Sequence, residues 1–164
     1  MKYIFILGNN PELSKVEILS VISAKKILGQ NNQFLAIESD KINCQQLIKK
    51  LGGTIKIGII LGNQPEPGPV IGSATASEKK FKFGFSFYGQ KPSNIGMKIK
   101  GILKEQGISA RLVSSKEPAL SAVIIKKEKC MDFIVAPNFF AMTCAVQDFE
   151  GFSKRDFERP VSDS

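Results

Sequence analysis

The sequence contains no histidine and no tryptophan, and it has only three cysteines. Without histidine, every catalytic triad or metal site that needs an imidazole is excluded. Cys44, Cys130 and Cys144 form no C-x-x-C pair and are odd in number. This pattern disfavours a disulfide framework or a zinc ribbon and favours reduced cysteines in the cytoplasm. No run of about 18 apolar residues is present, so no membrane-spanning helix is predicted.

Loops that hold nucleotides or activate nucleophiles are also scarce. No P-loop pattern occurs, and residues 8–10 (GNN) contain a single glycine. The backbone of this short loop could hold an anion, but turn formation and helix capping are the favoured interpretation. Ser114-Ser115-Lys116 places hydroxyl groups near a lysine, although such pairs are common by chance. No catalytic residue, metal ligand or cofactor site is therefore predicted in this chain.

Positive charge is concentrated in one window. The chain has 164 residues, with 23 basic and 15 acidic residues and a net charge of +8. Residues 79–116 hold nine basic residues and one acidic residue, so this window alone carries +8. A basic block inside a folded domain is typical of a polyanion site, while a solvated surface and a contact with an acidic protein are the alternatives. The candidate nucleic-acid-binding residues are Lys79, Lys80, Lys82, Lys91, Lys98, Lys100, Lys104, Arg111, Ser115 and Lys116.

The first part of the chain predicts alternating strands and helices. Strands are expected at residues 3–7, 33–38 and 54–61, and helices at 11–28 and 43–51. Asn10 before Pro11 is a helix start, and Gly29 is a helix stop. The first helix is expected to bury a stripe of apolar side chains that includes Leu13, Val16 and Ile27. Residues 63–78 contain clustered proline and glycine and are predicted to be a linker between two domains.

The second part restarts with an alternating aromatic strand at residues 81–88. Four phenylalanines share one face, and we expect them to form a core rather than to stack on bases. Tyr88, on the other face, is the better candidate for stacking. A helix is predicted at residues 93–106, with Lys100 and Lys104 together on its polar side. A strand at 109–114, a helix at 117–127 and a hairpin of strands 131–136 and 140–146 around Pro137-Asn138 follow.

Three segments resemble one protein family. Residues 8–14 (GNNPELS), after an apolar strand, resemble the opening of THUMP-containing tRNA guanine methyltransferases. Residues 107–114 (GISARLVS) and 119–122 (ALSA) resemble the middle of the same region. Residues 145–150 (AVQDFE) and 153–160 (SKRDFERP) are the most specific match, because they resemble the segment that joins the THUMP domain to the catalytic domain.

The resemblance implies an α+β fold in two domains. It implies an N-terminal ferredoxin-like domain at residues 1–62, a THUMP RNA-binding domain at 79–147 and, at 148–164, a linker toward a methyltransferase domain. Arg155, Asp156, Arg159 and Pro160 would belong to that linker, and Arg155 and Arg159 would contact the methyltransferase domain. The family's S-adenosylmethionine loop and its Asp/Asn-Pro-Pro-aromatic motif do not occur in this sequence.

The function implied by the resemblance is a tRNA-binding module in the cytoplasm. It would position the acceptor end of tRNA for a guanine-N2-methyltransferase domain that this sequence lacks, and S-adenosylmethionine would be the cofactor of that domain. The chain is then expected to be a fragment, a truncated form or a split gene product, without an activity of its own. The RNA-binding subunit of a split methyltransferase and a protein-interaction module are the alternatives.

Overall fold

The computed structural model describes residues 1–76, 81–113 and 130–147. The chain divides into two compact units. The first unit consists of Met1–Ile60 and of the described residues 143–147, and the second consists of the described residues between Leu61 and Met142. Both units combine helices with a sheet, so the predicted α+β class is confirmed. Among the described helices, none is long and apolar enough to cross a membrane.

In the first unit, two helices accompany an antiparallel sheet. Its elements in chain order are β1 (Lys2–Leu7), α1 (Pro11–Val21), β2 (Ala24–Gln30), β3 (Phe34–Ser39), α2 (Cys44–Lys50) and β4 (Thr54–Gly62). The strand order is β2-β3-β1-β4, and the carboxyl half of β8 (Phe139–Val146) lies next to β4. Its core contains the fully buried side chains of Phe5, Leu35, Leu51 and Ile57. Asn43 caps α2 by accepting a hydrogen bond from the backbone of Gln46 at 3.1 Å.

The first helix is shorter than the sequence predicted. It ends at Val21, and Ala24–Gln30 form β2 instead of the last helical turns. The prediction of helix up to residue 28 is therefore wrong. Residues 24–30 pair antiparallel with β3, and Ile27 lies opposite Ile37. This ladder overrides the local preference for helix, as tertiary context often does.

The buried face of α1 also differs from the prediction. Ile18 and Ser14 are buried, whereas Leu13 and Val16 are 64% and 65% exposed. Ser14 is accepted inside because its hydroxyl reaches the carbonyl oxygens of Asn10 at 2.9 Å and Gly53 at 3.0 Å. A polar side chain can be buried when it forms hydrogen bonds. The buried face of α1 therefore contains Ser14, although the apolar pattern assigned that face to Leu13 and Val16.

The second unit is built around a mixed sheet. Its elements are α3 (Pro67–Thr75), β5 (Phe81–Phe87), α4 (Ile95–Glu105), β6 (Ala110–Leu112), β7 (Cys130–Ala136) and the amino half of β8. The order is β8-β7-β5-β6, in which β5 runs parallel to both β6 and β7. The helix predicted at residues 117–127 lies outside the described residues.

Aromatic side chains form the core of this unit, as the alternation in β5 predicted. Phe83 and Phe85 are buried, and the ring of Phe85 lies 5.5 Å from that of Phe133 and 6.3 Å from that of Phe140. These separations are typical of favourable ring pairs. Tyr88 is only 8% exposed, so the prediction that it could stack on a base is wrong.

The predicted hairpin is also confirmed. Strands β7 and β8 pair antiparallel, and Ala136 lies opposite Phe139 across the turn. Asn138 has a φ of 68°, a left-handed conformation that asparagine tolerates better than most residues. Proline followed by a residue with positive φ is the arrangement of a type II turn.

The proline-rich segment that we predicted to be a linker is a helix over part of its length. Helix α3 spans Pro67–Thr75, and its Val70 and Ala74 are buried in the core of the second unit. Pro67 and Pro69 fall in the first turn, where the missing N–H groups have no helical partner to lose. Proline in a helix interior breaks or kinks the helix, whereas proline in the first turn is compatible with it, as at the start of α3.

The compact units differ in extent from the domains expected from the sequence. The second unit begins at Leu61 rather than at residue 79, because α3 belongs to it. It ends at Met142, and the carboxyl half of β8 belongs to the first unit. Just beyond the end of β8, the backbone N–H of Gln147 donates a hydrogen bond to the carbonyl oxygen of Ile55 in β4, at 2.8 Å. The first unit is therefore made from two separate stretches of sequence.

Candidate nucleic-acid interface

Six of the ten predicted RNA-binding residues lie in the described part of the second unit. They are Lys82, Lys91, Lys98, Lys100, Lys104 and Arg111. The remaining four, Lys79, Lys80, Ser115 and Lys116, lie outside the described residues. The same is true of the predicted linker residues Arg155, Asp156, Arg159 and Pro160.

Helix α4 presents three lysines to solvent. Its buried side consists of Gly96, Ile99 and Leu103, which pack toward the phenylalanine core. Since an α-helix turns by about 100° per residue, Lys100 and Lys104 lie about 40° apart on one flank, and Lys98 lies on the other flank. All three are exposed. We refer to Lys98, Lys100 and Lys104 as the helix lysines.

The cations of the sheet lie on a different face. Lys82 on β5 is directly opposite Arg111 on β6 in the parallel register. The neighbours of Arg111 in its strand, Ala110 and Leu112, pack against the phenylalanine core together with α4. Because side chains alternate along a strand, Lys82 and Arg111 point to the face opposite α4. Five of the described cations therefore divide into two groups on opposite faces of this sheet, and the exposed Lys91 lies in the loop between β5 and α4.

The helix lysines are not neutralised by acidic side chains in the described part of the chain. The ion pairs found there, Lys15 with Glu12 at 3.5 Å and Lys25 with Asp40 at 2.8 Å, both belong to the first unit. Within residues 81–113 the single acidic residue is Glu105, which is exposed. Unneutralised and exposed cations that share a helix produce a positive potential that attracts an anionic chain.

A pocket of about 420 Å³ lies at the amino end of α4, and one of its lining residues, Met97, directly precedes Lys98 in the sequence. Phe87, Met97 and Leu112 supply an apolar wall, and Ser93 and Asn94 supply polar groups. Met97 is 61% exposed. Sequence reasoning missed this pocket because it depends on how closely α4 approaches β6. The one signal was Gly96, where an added Cβ would lie 2.9 Å from a methyl carbon of Leu112.

The loop at residues 8–10 forms a turn and a cap, which was the favoured interpretation. The N–H of Gly8 donates to the carbonyl oxygen of Gly53 at 2.8 Å. The side chain of Asn10 accepts from the N–H of Leu13 at 3.3 Å. These donors are therefore already used within the first unit. In the part of the chain that the structure describes, no group of three or more His, Cys, Asp or Glu side chains could hold a metal ion.

Comparison with known proteins finds no matching family model and no matching curated protein. Several solved structures are similar to this chain at low identity. PH1313 from Pyrococcus horikoshii Ot3 is 9% identical with a TM-score of 0.46, and TrmN from Thermus thermophilus is 11% identical with a TM-score of 0.48. A 4-thiouridine synthetase in complex with RNA and ATP is 14% identical with a TM-score of 0.48.

Each alignment covers 90% of this chain but only part of the other protein. The chain spans 55% of PH1313, 46% of TrmN and 42% of the 4-thiouridine synthetase. It is therefore about half the length of the structures that it matches. At these identities and TM-scores the likeness carries no conclusion about the function of this chain.

Proposed function

We propose that this chain is an RNA-binding module whose principal contact surface is formed by the helix lysines of α4. The observation that carries the proposal is the exposure of Lys98, Lys100 and Lys104 on one helix without an ion pair among the described residues. The same helix buries Ile99 and Leu103, so the core of the unit holds the helix that carries the lysines.

The chemistry of the surface favours phosphate over base recognition. Lysine is a flexible point charge, and lysines that contact phosphates position a nucleic acid without reading its sequence. The aromatic rings that could stack on bases are used in the core, as Phe83 and Phe85 show. The pocket lined by Phe87 and Met97 is the part of this surface that could accommodate an unstacked base.

At a finer level, we infer that the RNA is tRNA and that the module positions its acceptor end for a guanine methyltransferase domain. The support is the resemblance of residues 8–14, 107–114 and 145–160 to THUMP-containing tRNA methyltransferases. On this proposal the two units correspond to the ferredoxin-like and THUMP domains, and S-adenosylmethionine binds to the catalytic domain. That domain would belong to another polypeptide or to a longer form of this one, in the cytoplasm.

The test is a double charge reversal, Lys100→Glu with Lys104→Glu, measured by fluorescence anisotropy with labelled tRNA across a salt series. The matched control is Lys49→Glu with Lys50→Glu, which changes the net charge equally on exposed positions of α2 in the first unit. Loss of two phosphate contacts should make the slope of log affinity against log salt shallower by about 2. We expect this change in the α4 variant and not in the control.

The outcomes separate three situations. Equal weakening in both variants would refute the α4 surface and indicate attraction by net charge alone. No binding of the unmodified chain to tRNA at low salt would refute RNA binding and leave an acidic protein as the partner of the basic window. A parallel titration with tRNA that lacks its 3′-terminal nucleotides tests the finer proposal, which requires weaker binding to the shortened tRNA.

A further inference from the structure

Two cysteine side chains from distant parts of the sequence meet in the first unit. Cys44 is the first residue of α2 and is 9% exposed, and Cys144 lies in the carboxyl half of β8 and is half-buried. Both thiols are free, and Cys144 packs against the core cluster that contains Cys44. The interaction between the two thiols shifts the pKa of both.

Neighbouring polar contacts hold the two segments together. The side chain of Gln45 donates to the carbonyl oxygen of Cys144 at 2.7 Å, a contact between positions 99 residues apart. The side chain of Gln147 donates to the carbonyl oxygen of Leu51 at 2.9 Å, just after the end of α2. These bonds link both ends of α2 to the end of β8, so the proximity of the two thiols is a built feature of the unit.

The pair is chemically asymmetric. The hydrogen bond with Cys144 lowers the pKa of Cys44, and the same bond together with burial raises the pKa of Cys144. Cys44 is therefore the more acidic thiol of the pair. Since the thiolate is the nucleophilic form, Cys44 is the attacking sulfur and Cys144 is the resolving thiol.

We propose that Cys44 and Cys144 form an oxidisable dithiol site, which a hydroperoxide converts into an intramolecular disulfide. In the first step the Cys44 sulfur attacks the terminal peroxide oxygen, the O–O bond breaks, and a sulfenic acid and an alcohol or water are formed. In the second step the Cys144 sulfur attacks the sulfenic sulfur, the S–O bond breaks, and water leaves with the thiol proton. The two sulfurs together lose two electrons, and the peroxide gains them.

The disulfide would have a defined effect on the chain. The loop that it closes contains the whole second unit, Leu61–Met142, because Cys44 precedes that unit and Cys144 follows it. It would fix the carboxyl half of β8 to α2 covalently, so this part of the first unit could no longer detach without reduction. A small thiol such as glutathione would reverse the reaction by thiol–disulfide exchange.

The experiment treats the full chain with hydrogen peroxide and counts thiols in denaturant. The unmodified chain should fall from three thiols to one, and a Cys130→Ser variant should fall from two to none. Cys44→Ser and Cys144→Ser should form no intramolecular disulfide. In the unmodified chain and in Cys130→Ser, oxidation should also raise the midpoint of thermal unfolding, and a reducing agent should abolish the rise.

Peptide mapping makes the assignment independent of whether the serine variants fold. Trypsin leaves Cys130 and Cys144 in one peptide, residues 130–154, and Cys44 in residues 42–49. A second cleavage before Asp132 separates Cys130 from Cys144. A crosslink between the Cys44 and Cys144 peptides supports the proposal. A crosslink to Cys130, a disulfide only between chains, or retention of all three thiols would overturn it.

Discussion

Substitution of Gly53 by alanine tests the packing between the first helix and the loop that follows α2. An added Cβ would overlap the hydroxyl oxygen of Ser14 and would lie 3.3 Å from the Ser14 Cβ. Gly53 does not have a positive φ, so alanine fits the backbone and the effect is steric. Ser14 is 3% exposed and bonded to two carbonyl oxygens, so its side chain cannot move without loss.

The size of the effect follows from three contributions. Forcing an extra methyl group into a packed site costs about 1–3 kcal/mol. Displacing the hydroxyl of Ser14 loses about 0.5–1.5 kcal/mol of hydrogen bonding. Alanine also restricts the unfolded chain more than glycine does, which stabilises the folded state by about 0.4–1 kcal/mol. We therefore expect Gly53→Ala to lower the free energy of unfolding by about 1–4 kcal/mol.

Urea denaturation measures this change, with Gly62→Ala as the matched control. No atom lies within 4 Å of a Cβ at Gly62, so the control keeps the unfolded-state effect and lacks the overlap. The double variant Ser14→Ala with Gly53→Ala removes the overlapping oxygen, and its loss should be smaller than the sum of the single losses by about 1–2 kcal/mol. Equal stability of Gly53→Ala and Gly62→Ala, or strict additivity in the double variant, would refute the reasoning.

Two further predictions concern the corrected helix face and the hairpin turn. Ile18→Ala should lower the free energy of unfolding by about 2–5 kcal/mol, because Ile18 is fully buried, while the exposed Leu13 should tolerate alanine within about 0.5 kcal/mol. A larger loss of unfolding free energy at Leu13 than at Ile18 in urea denaturation would instead support the buried helix face expected from the sequence. Asn138→Ala should cost about 1 kcal/mol because of the positive φ, and Asn138→Gly should not. Equal unfolding midpoints for these two variants would contradict the left-handed turn.

Where local patterns were strong, the sequence predicted the fold well. The alternating phenylalanines of β5 and the turn at Pro137-Asn138 both carry a signal within a few residues, and the structure confirms both. The helix lysines followed in the same way from the apolar stripe of α4, because Ile99 and Leu103 define which side is buried.

The failures at β2, at Ser14 and in the placement of the cations involve contacts between different segments of the chain. Strand β2 forms because β3 pairs with it, and the buried position of Ser14 depends on the carbonyl oxygen of Gly53, 39 positions later. The division of the cations between two faces depends on the register of Lys82 against Arg111. No local pattern encodes such pairings, since they are decided by which segments meet in the folded chain.

The two-segment construction of the first unit has a consequence during synthesis. Strand β4 emerges from the ribosome long before the carboxyl half of β8. The edge of β4 therefore stays unpaired while the second unit is synthesised. An unpaired edge is open to pairing with another chain. Strand β4 carries Lys56 and Thr54. Pairing of its edge with β8 requires contacts of high sequence separation, which form slowly. A nascent chain halted before Thr143 should therefore aggregate more readily than one released after residue 147.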